Sequence, residues 1–395
     1  MSFRYAAGIN KPGFNPLAAG VDQYKGIWSL SGQANAVAAG TWTGLPFLYS
    51  WGANGNGQLG LGNTTSYSSP KQVGTASWAA VAVGNGSLIA VGLAGSLWAS
   101  GRNDLGQLGL NNSTAYSSLK QVGSLTTWSK VACANHTLAI KTDGTLWSWG
   151  FNSSGQLGLN SATYSFSSPN QVGALTTWNT VSCGRNASAA IKTDGTLWTW
   201  GLNSSGQLAQ GNLTNYSSPK QVGALTTWLS VSAGYVSMVA VKTDGTLWAW
   251  GVNNLGQLGL GNTTNYSSPK QVGALTTWLK VASTYQSIVA IKTDGTLWGW
   301  GLNSNGQVGD GTITNRSSPV QVGALTNWSN LGTATNSCFS IKTDGTLWSW
   351  GINTSGILGD NSTVSKSSPV QIGSSTNWKI LSQGQAAVSL AAIIS

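Results

Sequence analysis

A tryptophan returns every fifty residues along this chain, at Trp78, Trp128, Trp178, Trp228, Trp278, Trp328 and Trp378. In most copies it is followed by a short apolar stretch, then K-T-D-G-T-L-W-x-W-G, N-x-x-G-Q-L-G and S-S-P-x-Q-V-G. A unit of that length holds several short strands and cannot bury its apolar faces alone, so neighbouring units must stack. This restricts the chain to a propeller or a solenoid. It also assigns most repeated residues to packing, so chemistry is to be sought where the copies disagree.

The unit that begins at Trp228 shows how one copy becomes one sheet. Residues 231–233 read as a first apolar strand and residues 238–243 as a second. Asp244-Gly245 is a two-residue turn whose residues tolerate positive φ. Residues 246–250 form the third strand and place Trp248 and Trp250 on one face, because side chains alternate along a strand. Residues 253–259 make a glycine-pinned loop, and residues 269–272 supply an outer strand that opens on a proline, which an edge strand tolerates. The unit is thus four antiparallel strands. Composition agrees: 7% of residues are charged, none is Glu, and the 53 glycines and 21 tryptophans suit turns and strands rather than long surface helices.

The termini decide between ring and stack. The turn dipeptide appears six times, as Ala94-Gly95 and five Asp-Gly pairs, yet seven third strands end at Gly52, Gly101, Gly150, Gly201, Gly251, Gly301 and Gly351. Residues 378–394 stop where a seventh turn would fall, and residues 46–51 have no partner upstream. Joining the two completes a seventh blade and leaves no exposed end. The expected fold is all-β, a seven-bladed propeller of four-stranded antiparallel blades over residues 46–395. One blade is split between residues 46–77 and 378–395, and residues 1–45 form an N-terminal arm with a short helix over 29–39.

The repeat W-x-x-V-x-x-G…A-I-K-T-D-G-T-L-W-x-W-G-x-N-x-x-G-Q-L-G resembles that of the regulator of chromosome condensation family. The resemblance covers residues 46–395 and implies a seven-bladed propeller. The family's roles include nucleotide exchange on a small GTPase, ultraviolet sensing and inhibition of β-lactamases, so the fold does not choose among them. No insertion between blades is large enough to act as a wedge on a GTPase, and the G-W-R-H-T motif of the ultraviolet receptor is absent. The pairs Trp147/Trp149, Trp198/Trp200, Trp248/Trp250, Trp298/Trp300 and Trp348/Trp350 read as inter-blade packing. The segments N-P-L-A-A-G and G-I-W-S-L-S-G-Q-A-N-A-V-A-A-G-T-W of the first 45 residues resemble an N-terminal segment of tailed-phage structural proteins. On that reading Phe3, Tyr5, Phe14, Trp28 and Trp42 are the aromatic anchors of an attachment arm; the alternative is an arm packed across the propeller's own face.

Charge and reactive residues remove several function classes. The net charge of +10 invites a polyanion partner. However, Lys141, Lys192, Lys242, Lys292 and Lys342 each stand two residues from an Asp of the same turn, so those rings of charge are expected to cancel. Specific nucleic-acid binding is not expected. His136 is the only histidine, which removes His-based triads and multi-histidine metal sites; it reads as structural or solvent-facing. Cys133, Cys183 and Cys338 show neither disulfide nor zinc spacing. No secretory signal is legible, and no window approaches the roughly 18 apolar residues of a membrane span. No catalytic, metal or cofactor site is expected, and the chain is read as a non-enzyme.

Comparison of the copies singles out two variable sets. Seven residues after each index tryptophan stand Asn85, Asn135, Arg185, Tyr235, Tyr285, Thr335 and Gln385, with His136 next to Asn135. These positions belong to the loop between first and second strands and are expected on a rim of the central channel, where they form a contact surface or drift without constraint. Tyr and Arg are the types that carry interface energy. The second set is an outer ring, Tyr67, Tyr116, Tyr216 and Tyr266, giving way to Arg316 and Lys366. The sequence-level expectation is a virion structural protein of a tailed phage, a tail- or fibre-associated host-attachment component present in multiple copies. The arm would bind other virion proteins, and the propeller would face a host receptor or glycan. The alternatives are a soluble protein-binding propeller of the inhibitor or exchange-factor type, placed in the cytoplasm, and a capsid decoration protein.

Overall fold

The computed structural model describes residues 45–161, 163–384 and 387–395. Phe3, Tyr5, Phe14, Trp28, Trp42, the helix over 29–39 and Gln385 lie outside the described residues. Pro46–Ile394 forms one compact unit. Its strands fall into seven antiparallel four-stranded blades, each with its innermost strand on the channel and its S-S-P strand outermost. Numbered from the closing blade, blades 3 to 7 each occupy one continuous stretch; blade 5, for example, is Trp228–Ala233, Ser237–Lys242, Leu247–Gly251 and Tyr266–Gln271.

Blade 1 is made from both ends of the described chain. Trp378–Leu381 and Ser389–Ile394 pair with Phe47–Gly52, which pairs with the start of Tyr67–Val83. The register across the closure runs unbroken from Phe47↔Ile394 to Gly52↔Ser389. Tyr67–Val83 is a 17-residue strand that serves blade 1 with its first half and blade 2 with its second. The connection Gly74-Thr75-Ala76-Ser77 is one residue shorter than its counterparts, such as Gly123-Ser124-Leu125-Thr126-Thr127, so no turn interrupts it.

The strands differ in detail from the sequence-based bounds. The index tryptophan lies inside the innermost strand, separated from its apolar core by a bulge such as that between Trp228 and Ser230. The outer strand starts at Tyr266, ahead of Pro269, and a second bulge between Ala249 and Gly251 breaks the ladder opposite it; blade 2, with Leu119 in place of the proline, has the same bulge between Ala99 and Gly101.

Packing between blades is carried by the tryptophans. Trp51, Trp149, Trp200, Trp250, Trp300 and Trp350 are fully buried. Each indole reaches into the neighbouring blade: Trp250 Nε1 donates to Gln207 O at 2.9 Å and Trp200 Nε1 to Gln156 O at 2.8 Å. The index Trp228 meets Trp250 at 6.1 Å and Trp248 at 6.3 Å, both edge-on. The K-T-D-G-T-L-W motif is a latch within this packing. Asp244 Oδ1 accepts from the Thr246 N–H at 2.9 Å and its hydroxyl at 2.7 Å, and Thr246 Oγ1 accepts from Trp248 Nε1 at 2.9 Å. Gly245 is obligatory, with φ at +76° and a would-be Cβ only 2.1 Å from Thr276 O.

The invariant asparagine of N-x-x-G-Q-L-G is likewise a hub. Buried Asn253 accepts from the Leu258 N–H at 2.9 Å and donates to Asn262 O at 2.9 Å, so one side chain spans both arms of its loop. Replacing Asn253 with Ala leaves these buried backbone groups unpaired and is expected to cost about 2–4 kcal/mol, read from chemical denaturation.

Candidate functional site: the channel rim

The loops between first and second strands touch from blade to blade. Asn85 N–H donates to Ala134 O at 3.1 Å, Tyr285 N–H to Thr335 O at 2.7 Å and Thr335 N–H to Ala387 O at 2.9 Å. The described members of the variable set, Asn85 to Thr335, therefore stand side by side on one rim. On blades 2 to 4 they form an amide ladder: Asn85 Nδ2 donates to Asn135 Oδ1 at 3.0 Å, and Asn135 Nδ2 reaches Asn186 Oδ1 at 3.5 Å. On blades 4 to 6 they form a stack. The Arg185 guanidinium lies 4.5 Å from the Tyr235 ring centroid, and the Tyr235 and Tyr285 rings are 3.9 Å apart, tilted by 35°. Arg185 is exposed and both tyrosines are half-buried. Thr335 continues the rim, its hydroxyl donating to Ala387 O at 2.7 Å.

His136 does not belong to this surface. Thirteen positions separate Trp128 from Lys141, against fourteen from Trp178 to Lys192, so the blade 3 loop is one residue short. His136 consequently falls at the strand position of Ser237 and Ser287, pairing with Gly150 as Ser237 pairs with Gly251. It is fully buried, with Nε2 2.8 Å from Ser188 Oγ. Burial pushes its pKa down to about 3, so the folded protein holds it neutral.

This sets a pH dependence. The unfolded chain takes up a proton near the ordinary histidine value of about 6.5 and the folded chain does not. Stability is therefore unaffected by His136 above about pH 6.5 and is lost as pH falls from there toward 3. His136→Ser is expected to flatten the fall in stability between about pH 4 and 6.5, by up to about 1.4 kcal/mol per pH unit, in paired denaturation curves.

The outer ring is also changed by its surroundings. Tyr67, Tyr116, Tyr216 and Tyr266 accept from Asn63, Asn112, Asn212 and Asn262 at 3.0–3.4 Å. In the last two blades an acid replaces that chemistry: Arg316 pairs with Asp310 at 2.6 Å and Lys366 with Asp360 at 3.8 Å. Arg316 and Lys366 thus add no free positive charge, and the change from aromatic to basic is a substitution within a loop latch. Neither is part of the rim.

The turn lysines do not pair with the turn aspartates. Among the described residues the ion pairs are Arg102–Asp104, Arg316–Asp310 and Lys366–Asp360. Lys242 Nζ instead lies 3.7 Å from the Trp248 centroid and 4.9 Å from that of Trp228, and its equivalents do the same. Burial lowers the pKa of these lysines, opposed by the nearby carboxylate, while the Thr246 hydroxyl and N–H hold that of Asp244 below its ordinary value.

The channel offers little space. A cavity of about 210 Å³ is lined by Val81, Val131, Val181 and Leu381, below the roughly 300 Å³ at which ligand pockets begin. Neighbouring innermost strands are tied to one another around it, Ser182 Oγ accepting from the Ala233 N–H and Ser232 Oγ from the Ser283 N–H, both at 2.9 Å. Cys133, Cys183 and Cys338 are free and buried, and burial pushes their thiols up, away from the thiolate a nucleophile needs.

Sequence reasoning passed over one repeated feature. Leu125, Leu175, Leu225, Leu275 and Leu325 each precede an index tryptophan by three residues and are 47–48% exposed. A leucine kept in an otherwise small, polar connection was the available signal.

The blade architecture matches a described family. A family model for the RCC1-like domain matches residues 48–391. The chain belongs to the RCC1-like domain family. This RCC1-like propeller is similar in structure to human WBSCR16, with a TM-score of 0.80 at 19% identity, covering 89% of this chain and 99% of that one. It is also similar to Prp20p from Saccharomyces cerevisiae, with a TM-score of 0.78 at 17% identity over 89% of this chain and 92% of that one. No curated protein matches it in sequence. The likeness at these identities is one of fold.

Proposed function

We propose that this RCC1-like chain is a non-enzymatic protein-binding propeller whose contact surface is the rim centred on Arg185, Tyr235 and Tyr285. The observation that carries the reading is the Arg185–Tyr235–Tyr285 stack. Three large side chains from adjacent blades are held against one another before any partner arrives, so little side-chain entropy remains to be lost on binding. Framework residues repeat almost unchanged while the rim passes from Asn on blades 2 and 3 to Arg on blade 4, Tyr on blades 5 and 6 and Thr on blade 7, which gives a round scaffold a directional surface. Yeast Prp20p, of similar fold, was characterised with its binding to Gsp1p and histones, and protein binding is the use of the fold this reading extends.

Capture from the native extract, followed by titration of the captured protein, compares wild type with R185A/Y235A/Y285A. Affinity is expected to fall at least about 30-fold, with the melting temperature within about 3 °C of wild type. Equal affinity in the variant rejects the rim. Attachment to a phage particle is supported only by the sequence of residues 1–45. Deleting them tests it separately: a virion component folds but is not incorporated, whereas a free binding module keeps its partner.

A further inference from the structure

We infer that the groove between blades 1 and 2 is a binding site for a quaternary ammonium group. It goes beyond the rim reading and shares no residue with it. The other blades show what this position is built to hold. In blades 3 to 7 the turn lysine lies with Nζ 3.5–3.9 Å from the centroid of the tryptophan six residues further on. The same Nζ is 4.8–5.1 Å from the index tryptophan. Blade 2 keeps both indoles: Trp78 and Trp98 are 6.3 Å apart at 84°, against 5.9–6.3 Å and 76–79° in the lysine-bearing blades. The lysine is gone. Gly92 takes its place, pairing with Trp78 as Lys242 pairs with Trp228. Among the described residues no Lys or Arg lies over either ring; Lys71 and Lys120, on the flanking outer strands, lie over Tyr67 and Tyr116 at 5.4 and 5.5 Å.

The lost side chain leaves room. The groove has a volume of about 560 Å³ and is lined by Trp78, Trp98, Gly92, Ala94 and Thr75, which falls in the range of roughly 300–1,000 Å³ for small-molecule sites. The equivalent groove at blade 5, lined by Trp228, Trp248, Lys242 and Leu225, has about 400 Å³. Thr75 stands three residues before Trp78 as Leu225 does before Trp228, so blade 2 has lost that leucine as well. Two indole faces that attract a cation elsewhere in the ring are here open to one from outside. The lining also selects the kind of cation. In the other blades the turn Asp supports the ammonium against the burial that lowers its pKa. In blade 2 Ala94 replaces that Asp, and no carboxylate lines the groove. A primary ammonium entering it gives up hydration for ring faces alone. A trimethylammonium group has no N–H to leave unpaired, cannot lose its charge and is held by ring faces.

The probe is choline, titrated with the full chain and read by saturation-transfer NMR on the ligand. Two comparison compounds divide its chemistry: 3,3-dimethyl-1-butanol has choline's shape without its charge, and ethanolamine has the charge without the methyl groups. Choline is expected to bind saturably, and each comparison compound at least about 3-fold more weakly. G92K restores the lysine of the other copies. Gly92 has no positive φ, and the added Cβ meets only the Ser96 hydroxyl closer than 3 Å, at 2.8 Å, a group free to turn. This variant is expected to melt within about 3 °C of wild type and to bind choline at least about 10-fold more weakly, because its own ammonium takes the rings. W98L is expected to weaken choline by a similar factor through loss of a ring face. Flotation with phosphatidylcholine vesicles separates two sources of the group: flotation that G92K abolishes assigns it to a lipid headgroup, and choline binding without flotation to a free compound. Absence of choline binding, equal affinity for choline and either comparison compound, or unchanged choline affinity in both variants overturns the proposal.

Discussion

Truncation of the RCC1-like propeller before Ser389 is expected to abolish cooperative folding. Ser389–Ile394 is the second strand of the closing blade, paired on one side with Trp378–Leu381 and on the other with Phe47–Gly52. It buries Leu390, Ala391, Ala392 and Ile393 in the cluster that also holds Trp51, Trp378 and Phe339, so its loss opens blade 1 and exposes the flank of blade 7. Burial of the leucine and isoleucine alone contributes about 3–6 kcal/mol, and six residues of ladder add to it. Against a total of about 5–15 kcal/mol, nothing is left to hold the ring. Near-ultraviolet circular dichroism should lose its tryptophan signal and thermal scans their transition. A truncated chain that melts within a few degrees of the full one would mean that closure does not govern stability.

Trp250→Ala carries the second largest effect, about 3–5 kcal/mol. The side chain is fully buried, packs edge-on against Trp228 and satisfies Gln207 O in the preceding blade. Its removal leaves a cavity between two blades and an unpaired carbonyl. A fall of about 5–10 °C in melting temperature is expected from calorimetry. Trp248→Ala should cost less, because that ring is only half-buried and mainly shelves Lys242. Blade 2 has already made the larger change: Ser100 stands where the other blades have tryptophan, and Leu119, in place of the usual proline, closes on Gly60. A loss near zero at Trp250 would show that the sheets, rather than the indoles, hold the blades together.

Much of the candidate site was legible and some was not. The rim could be placed because a loop at a fixed distance from an index residue must recur at the same height in every blade. Arg185, Tyr235 and Tyr285 accordingly appear together. His136 was misplaced by the same arithmetic, since counting from Trp128 ignores a loop that is one residue short; counting back from Lys141 would have put it in the strand. The lysine rings were expected to cancel against the aspartates two residues away. Neighbours in sequence are not neighbours in direction, however, and across the turn the lysine finds two indole faces while the carboxylate finds Thr246.

The sequence by itself determined the ring: a fifty-residue period, an Asp-Gly or Ala-Gly turn in every complete copy, and half a blade left over at each end. These are properties of local backbone chemistry and of counting, and neither depends on how side chains meet. The tertiary structure decided which residues are free to act. It buried His136, paired Arg316 and Lys366, folded the turn lysines onto tryptophan and left Leu225, Leu229, Leu275 and Leu279 facing water. Exposure and charge pairing depend on contacts between blades, where residues some fifty positions apart become neighbours, and no local pattern within one copy carries that information.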